Sequence, residues 1–90
     1  MPQVQAVMID EAHQRQSISD PDTGEYLGDE VLIRRQYDIG DDRLVAIVHL
    51  DAEAWPLTEV MRPVIETLFH DEVYRECEAR GIVIVGMRRL

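Results

Sequence analysis

The densest group of ionisable side chains lies in two acidic segments. The first segment, SISDPDTGEYLGDE at residues 17–30, carries five carboxylates and no basic side chain. The second covers residues 38–42, around a glycine. Carboxylates at this density could bind a calcium ion, dock on a basic partner, or only keep a turn hydrated.

The spacing of the first segment argues against calcium. A calcium loop of the EF-hand type needs oxygen ligands at positions 1, 3 and 5 and a glycine at position 6. Counted from Asp20, Gly24 takes position 5 and Glu25 takes position 6. We therefore expect no metal, and interpret the carboxylates either as a partner-binding acidic patch or as the solvated ends of a sheet. The patch consists of Asp20, Asp22, Glu25, Asp29, Glu30, Asp38, Asp41 and Asp42.

The remaining reactive side chains are scattered. The histidines at positions 13, 49 and 70 form no HxxxH or HExxH motif. Glu66 and His70 are four residues apart and would share one face of a helix, which suits a metal site or an ordinary surface pair. Cys77 falls on the apolar face of the same predicted helix, where a buried structural thiol is expected. We predict neither a catalytic residue nor a cofactor from these side chains.

The first residues offer one enzymatic alternative. Met1 and Pro2 precede an alternating strand, and this start resembles the tautomerase superfamily over about ten residues. In that family, removal of the methionine exposes an N-terminal proline that acts as a general base. The resemblance implies a small enzyme in which Pro2 is the base and Arg34 and Arg35 supply charge for a substrate carboxylate. It also implies a long helix directly after the first strand.

Composition limits the class of protein. Ninety residues, 46% of them hydrophobic and 30% charged, predict a single folded domain, 1–90. Eighteen acids face nine bases, all arginine, and this negative field disfavours direct binding of nucleic acid. The absence of lysine and asparagine suggests a GC-rich genome, and the acid excess would also suit a halophile.

The same composition predicts where the protein is found. One cysteine rules out an internal disulfide and fits a reducing compartment. No apolar stretch approaches the roughly 18 residues that span a membrane, and the N-terminus lacks the basic start of a signal peptide. We expect a cytoplasmic protein without membrane contact.

Apolar periodicity predicts the elements that must position these residues. Residues 3–9 alternate as a strand, and the polar segment 10–16 is expected to bend or form one helical turn. The sequence DPDTG at 20–24 predicts a hairpin turn. Residues 30–39 and 43–50 predict two further strands joined by the second acidic segment.

The second half of the chain predicts a helix and a last strand. Apolar spacings of three and four run from residue 57 to residue 80, and Gly81 ends the pattern as a C-cap. Pro63 is expected to kink or break this helix. Residues 43–89 then form a C-terminal βαβ unit with parallel strands. The fold class is α+β, with a mixed four- to five-stranded sheet and one kinked or broken helix packed on one face.

Two predicted strands, 43–50 and 81–89, are apolar on both sides, a pattern typical of central strands covered on both faces. One helical layer covers only one face of a sheet. We therefore predict a homodimer or an obligate protein partner that meets the sheet or its edge, with Val45, Ile47 and His49, or their neighbours on the opposite face, at the contact.

These observations favour a small acidic, non-catalytic regulatory, inhibitory or accessory protein that acts through protein contacts. Its acidic patch would dock on the basic, nucleic-acid-binding groove of a partner. A structural subunit of a phage particle or another oligomer is the alternative, beside the tautomerase-like enzyme.

Overall fold

A computed structural model describes residues 3–90, except for the side chain of Ala54. It contains four strands and one α-helix, with a short 3-10 turn, Ala52–Ala54, ahead of the helix. The strands are β1 (Gln3–Ser19), β2 (Tyr26–Ile39), β3 (Asp42–Asp51) and β4 (Val83–Arg89), and the helix is α1 (Met61–Ala79). The sheet order is β3-β2-β1-β4; β1 and β2, and β2 and β3, pair antiparallel, whereas β1 and β4 pair parallel. This confirms the α+β fold, with a mixed four-stranded sheet and one helix packed on it.

The first hairpin is longer than the sequence indicated. β1 continues unbroken through residues 10–16, so the expected bend or helical turn there is wrong. This polar segment pairs with β2, and residues 10–19 are exposed. A strand with water on both faces needs no apolar alternation. The turn at DPDTG is confirmed: the Asp20 carboxylate accepts from the backbone N–H of Asp22 at 2.7 Å, and Gly24 has φ +74°.

The helix starts later than its apolar pattern. The backbone N–H groups of Met61 and Arg62 donate to the carbonyl of Thr58 at 3.1 Å, and α1 begins there rather than at residue 57. Pro63 therefore lies in the first turn, where a missing N–H removes no intrahelical bond, and α1 runs on as one segment. Gly81 follows its end as predicted, with the N–H of Ile82 bonded to the carbonyl of Cys77 at 2.9 Å. None of the helices within residues 3–90 has the length and apolar character needed to cross a membrane.

The core lies between α1 and one face of the sheet, called the inner face here. The helix contributes side chains at spacings of four, and the central strand β2 contributes alternate residues. Those side chains are Ile65, Phe69, Val73 and Cys77 from α1, and Val31, Ile33, Tyr37 and Ile39 from β2. All eight are 2% exposed or less, so the inner face is closed where the helix covers it.

β3 and β4 lie at the two edges of the sheet. They run in the same direction, as a βαβ unit requires, but β2 and β1 separate them. The expectation that both are central strands covered twice is wrong. On β3, Val45 and Ile47 face outward and are 49% and 44% exposed, because α1 packs only against the inner face. We call this uncovered side the outer face.

A β-bulge in β1 determines which of its side chains reach the inner face. The register with β2 shifts by one residue at Ile9. A bulge of this kind reverses the alternation of side chains along a strand. Glu11, rather than Asp10, therefore lies opposite Arg35 on the inner face.

Candidate binding site

Among the residues that the structure describes, the charged residue that is buried is Arg35, with 4% of its surface exposed. It lies in the middle of β2, between the buried side chains of Ile33 and Tyr37 on the same face. A guanidinium at such a position is costly unless its charge and its donors are matched. The structure supplies those partners from three different elements.

Two carboxylates and a phenol surround the Arg35 guanidinium. Its Nε donates to Glu11 Oε1 on β1 at 2.7 Å. Its Nη1 and Nη2 donate to the two oxygens of Glu66 on α1, at 3.1 and 2.6 Å. Nη1 also donates to the Tyr37 hydroxyl at 3.2 Å, and the guanidinium carbon lies 4.2 Å from the centre of the Phe69 ring. The bidentate geometry with Glu66 ties the helix to the centre of the sheet.

Burial and charge pull the pKa values of this cluster in opposite directions. Burial by itself would lower the pKa of Arg35, but hydrogen bonds to Glu66, Tyr37 and Glu11 outweigh it and raise that pKa. The hydrogen bonds from Arg35 lower the pKa of Glu66 against the effect of partial burial. Burial raises the pKa of Tyr37. Arg35 and Glu66 are therefore held as an ion pair, and Tyr37 stays a neutral phenol.

A cleft of about 610 Å³ opens beside this cluster. One wall is the segment before α1, where Trp55 contacts His13 of β1 edge to face, with ring centres 4.7 Å apart. The other walls come from α1 and the end of β4, including Arg62 and Arg89. Arg89 Nη2 also donates to Glu66 Oε1 at 2.8 Å. The cleft thus combines an aromatic wall with partly exposed arginines.

The structure does not bring the eight predicted acidic residues together. The first group surrounds the β1–β2 turn, and the second surrounds the β2–β3 turn, at opposite ends of β2. β2 has 14 residues, and a strand of that length spans roughly 43 Å. The carboxylates therefore form two separate groups rather than one patch.

Half of these carboxylates already have a basic or histidine partner. The pairs are Asp29 with Arg15, Glu30 with His49, Asp38 with Arg43, and Asp42 with Arg80. Asp20 instead caps the first turn. Of the eight, the three whose carboxylates have no partner among residues 3–90 are Asp22, Glu25 and Asp41.

The three predicted contact residues of β3 do share one face. Val45 and Ile47 lie on the outer face with His49, which is exposed and approaches Glu30 Oε2 at 3.3 Å through Nδ1. They lie on an edge strand, so a second chain could reach both their side chains and their backbone.

The residues weighed as metal ligands serve other purposes. Glu66 binds Arg35 and Arg89, the His70 ring stacks on Tyr74 with centres 5.8 Å apart, and Cys77 is fully buried, as expected for a structural thiol. In the part of the chain that the structure describes, no three His, Cys, Asp or Glu side chains are grouped to hold a metal ion.

The proline proposed as a general base, Pro2, lies outside the described residues. Its two suggested carboxylate-binding partners are not on one side of the sheet: Arg34 is exposed on the outer face, whereas Arg35 is buried on the inner face. The element after β1 is a second strand rather than the long helix that the tautomerase resemblance implies.

Sequence reasoning missed the cleft, although one signal for it was present. On the inner-face positions of β2, a single arginine interrupts apolar residues at positions 31, 33, 37 and 39. A charge in such a row requires a buried partner. The partners could not be named, because Glu11 reaches Arg35 only through the bulge at Ile9, and Glu66 only through the placement of α1.

Comparison with known proteins identifies no relative: no protein-family model matches the chain, and neither a curated protein nor a solved structure matches it significantly.

Proposed function

We propose that this chain is a small acidic, non-catalytic accessory or regulatory protein that acts through protein contacts and forms a homodimer along β3. The exposed edge of β3 carries this proposal. Residues 44–50 include no acidic side chain and no arginine, and Val45 and Ile47 are exposed beside the free edge. A long, uncharged edge strand offers unpaired backbone groups to which another strand can add.

The opposite edge of the sheet is less suited to this role. β4 has only seven residues, and its register with β1 shifts between Val4 and Gln5. It ends in Arg88 and Arg89, which are exposed. Short length, a bulge and terminal charge are features that block strand addition. The preference for β3 over β4 favours a closed dimer over an open chain of copies.

The charges of β3 favour antiparallel pairing with β3 of a second copy of the protein. Arg43 and Asp51 lie on the outer-face positions four residues before and four residues after Ile47. If Ile47 lies opposite Ile47 of the second copy, Arg43 of each copy lies opposite Asp51 of the other. Registers centred one residue away, on Ala46 or Val48, lose this match.

Sedimentation equilibrium at micromolar concentration tests the dimer, and a charge exchange tests its register. Arg43→Asp alone would place two carboxylates opposite each other and weaken association at least about tenfold, which is about 1.4 kcal/mol. The double variant Arg43→Asp, Asp51→Arg restores the pairing. Arg75→Asp makes the same charge change on an exposed site of α1 and should leave association unchanged.

Two results would count against this assignment. A monomer at every concentration would exclude the dimer, and failure of the exchanged pair to restore association would exclude the register. An assembly that grows beyond two copies would instead favour the alternative of a structural subunit.

The tip of the first hairpin favours a second contact, with a basic partner. The exposed apolar side chains there are Ile18, Tyr26 and Leu27, at 37%, 60% and 62%. Asp22 and Glu25 flank them with free carboxylates. We therefore place the acidic docking surface at this tip, where it would enter a basic groove that otherwise holds nucleic acid.

Capture from an extract of the source cell, repeated from low to molar salt, tests the tip. A partner held by Asp22 and Glu25 should be lost at high salt and with the variant Asp22→Arg, Glu25→Arg, because exposed charges are screened within about 8 Å at physiological ionic strength. Asp41→Arg, at the other end of β2, is the control for a charge reversal away from the tip and should retain the partner. Capture that is independent of salt would contradict electrostatic docking.

A further inference from the structure

We propose that the cleft beside Arg35 binds a small aromatic carboxylate, with its ring against Trp55 and its carboxylate held by Arg62 and Arg89. The cleft volume of about 610 Å³ lies within the roughly 300–1,000 Å³ typical of small-molecule sites. This site is independent of the β3 edge and of the hairpin tip, so it does not rest on the homodimer.

The apolar part of the cleft is built to hold a flat ring. Trp55, Pro56 and Leu57, from the segment before α1, and Ile65 of α1 provide its apolar lining. The Trp55 indole is held by the His13 ring, whose plane is tilted by 77° against it. Trp55 lines the cleft, and aromatic rings pack against an indole in offset-stacked or edge-to-face geometry.

The charge of the cleft is opposite in sign to that of the protein. Three of the nine arginines line it, but only two of the eighteen acidic residues do so. Both of those carboxylates, Glu11 and Glu66, are occupied by Arg35. The groups left to attract a ligand are therefore cations, in a chain whose formal net charge is −9.

The two outer arginines have donors to spare. Arg62 is 63% exposed, and its ion pair within the described residues, 3.6 Å to Glu59, involves a carboxylate that is 91% exposed and well hydrated. Arg89 is 61% exposed and uses one Nη2–H on Glu66. Guanidinium groups bind planar carboxylates through paired hydrogen bonds. Arg62 and Arg89 thus select an anionic head group.

Arg35 positions this site without contacting the ligand. Four of its five N–H donors bind Glu11, Glu66 and Tyr37, and only 4% of its surface is exposed. By fixing Glu66, it also fixes the acceptor that holds Arg89 at the rim. Arg35 is a positioning residue, and the ligand contacts come from Trp55, Arg62 and Arg89.

Titration with trans-cinnamate, followed by the indole N–H signal of Trp55 in a ¹H–¹⁵N spectrum, tests the proposal. The chain has one tryptophan, so that signal reports on this cleft alone. We expect a saturable shift with cinnamate and at least about tenfold weaker binding of the neutral analogue cinnamamide. Arg62→Gln and Arg89→Gln should each weaken cinnamate binding by about tenfold, with an unchanged melting temperature because both side chains are exposed.

Arg75→Gln is the matched control, since Arg75 also lies on α1 and pairs with a glutamate three residues before it. It should bind cinnamate as the parent protein does. Equal binding of cinnamamide, no saturable shift, or equal weakening by Arg75→Gln would overturn the assignment. Inorganic phosphate is the third probe: displacement of cinnamate by phosphate at the same concentration would overturn the role of the ring.

Discussion

The two faces of the sheet are built from the same strands and have opposite environments. On β3, Leu44, Ala46 and Val48 face α1 and are 2%, 4% and 6% exposed. Val45 and Ile47 alternate with them, are just as apolar, and are nearly half exposed. Residue type therefore does not distinguish the faces. The difference arises from the single helix, which can cover only one of them.

The neighbouring arginines of β2 show the same contrast for charge. Arg35 faces inward and requires two carboxylates and a phenol to stay charged. Arg34 faces outward, is exposed, and can be hydrated by water. Arg34 is thus an ordinary surface side chain, whereas its neighbour Arg35 must bind residues of β1, β2 and α1.

Truncating a buried side chain of α1 that covers the inner face should have the largest effect on the free energy of unfolding. Phe69 is fully buried and lies under the Arg35 guanidinium. Phe69→Ala should lower the free energy of unfolding by about 3–5 kcal/mol, because it leaves a cavity and removes the ring beneath the charge. Urea denaturation measures the loss. Leu68→Ala, at the adjacent position with 40% exposure, should cost less than about 1 kcal/mol; equal losses would mean that the inner face is not the core.

Substitution of the two arginines by methionine compares the faces directly. Arg35→Met should lower the free energy of unfolding by about 1–3 kcal/mol, because Glu11 and Glu66 lose the charge that holds them beside each other. Arg34→Met should change it by no more than about 0.5 kcal/mol. The Arg35 cluster would be structurally unimportant if both variants unfolded at the same urea concentration.

The sequence predicts the strands and the helix better than it predicts which of their faces are covered. Alternation identified β3, the inner row of β2 and the apolar stripe of α1, because these patterns follow the periods of strand and helix. It could not identify β3 as an edge, since strand order depends on pairings across the whole chain. An apolar strand looks the same whether its second face is covered or bare.

The candidate site was less predictable for a related reason. Arg35 interrupts an apolar row and so signals a buried partner, but the bulge at Ile9 leaves no clear mark in the sequence. Without that bulge, Asp10 rather than Glu11 would occupy the inner face. Trp55 and Arg89 are far apart in the chain and meet at one cleft only after α1 has packed.

Acidic pH should lower the free energy of unfolding, because it protonates Glu66 beside Arg35. Hydrogen bonds from Arg35 place its folded-state pKa below the ordinary value of 4.5, so the unfolded chain binds the proton more readily. The stabilisation from Glu66 is complete above that ordinary value and is lost as pH falls through the folded-state pKa. Urea denaturation across this range should show a flatter pH dependence for Glu66→Gln than for the parent protein.

Asp29→Asn provides the control for this titration. Its pKa is also lowered, by the hydrogen bond from Tyr26 and then that from Arg15, but this carboxylate lies on the solvated hairpin. Most of the pH dependence should therefore remain in Asp29→Asn. A pH dependence that survives Glu66→Gln unchanged would show that Arg35 does not depend on that carboxylate.

A substitution on the outer face should have the smallest effect on the free energy of unfolding. The same substitution distinguishes folding of the chain from association of two copies. Ile47→Ser should lower the free energy of unfolding of the isolated chain by less than about 1 kcal/mol, because the side chain is already 44% exposed. In the proposed dimer, the same residue lies at the centre of the β3 contact. The melting temperature of the parent protein should therefore rise with protein concentration, whereas that of Ile47→Ser should not. Val60→Ser, at an 80% exposed apolar site before α1, should behave as the parent does. If the melting temperature of the parent protein does not depend on its concentration, no second copy pairs with β3. The outer face then differs from the inner face only in being exposed to water.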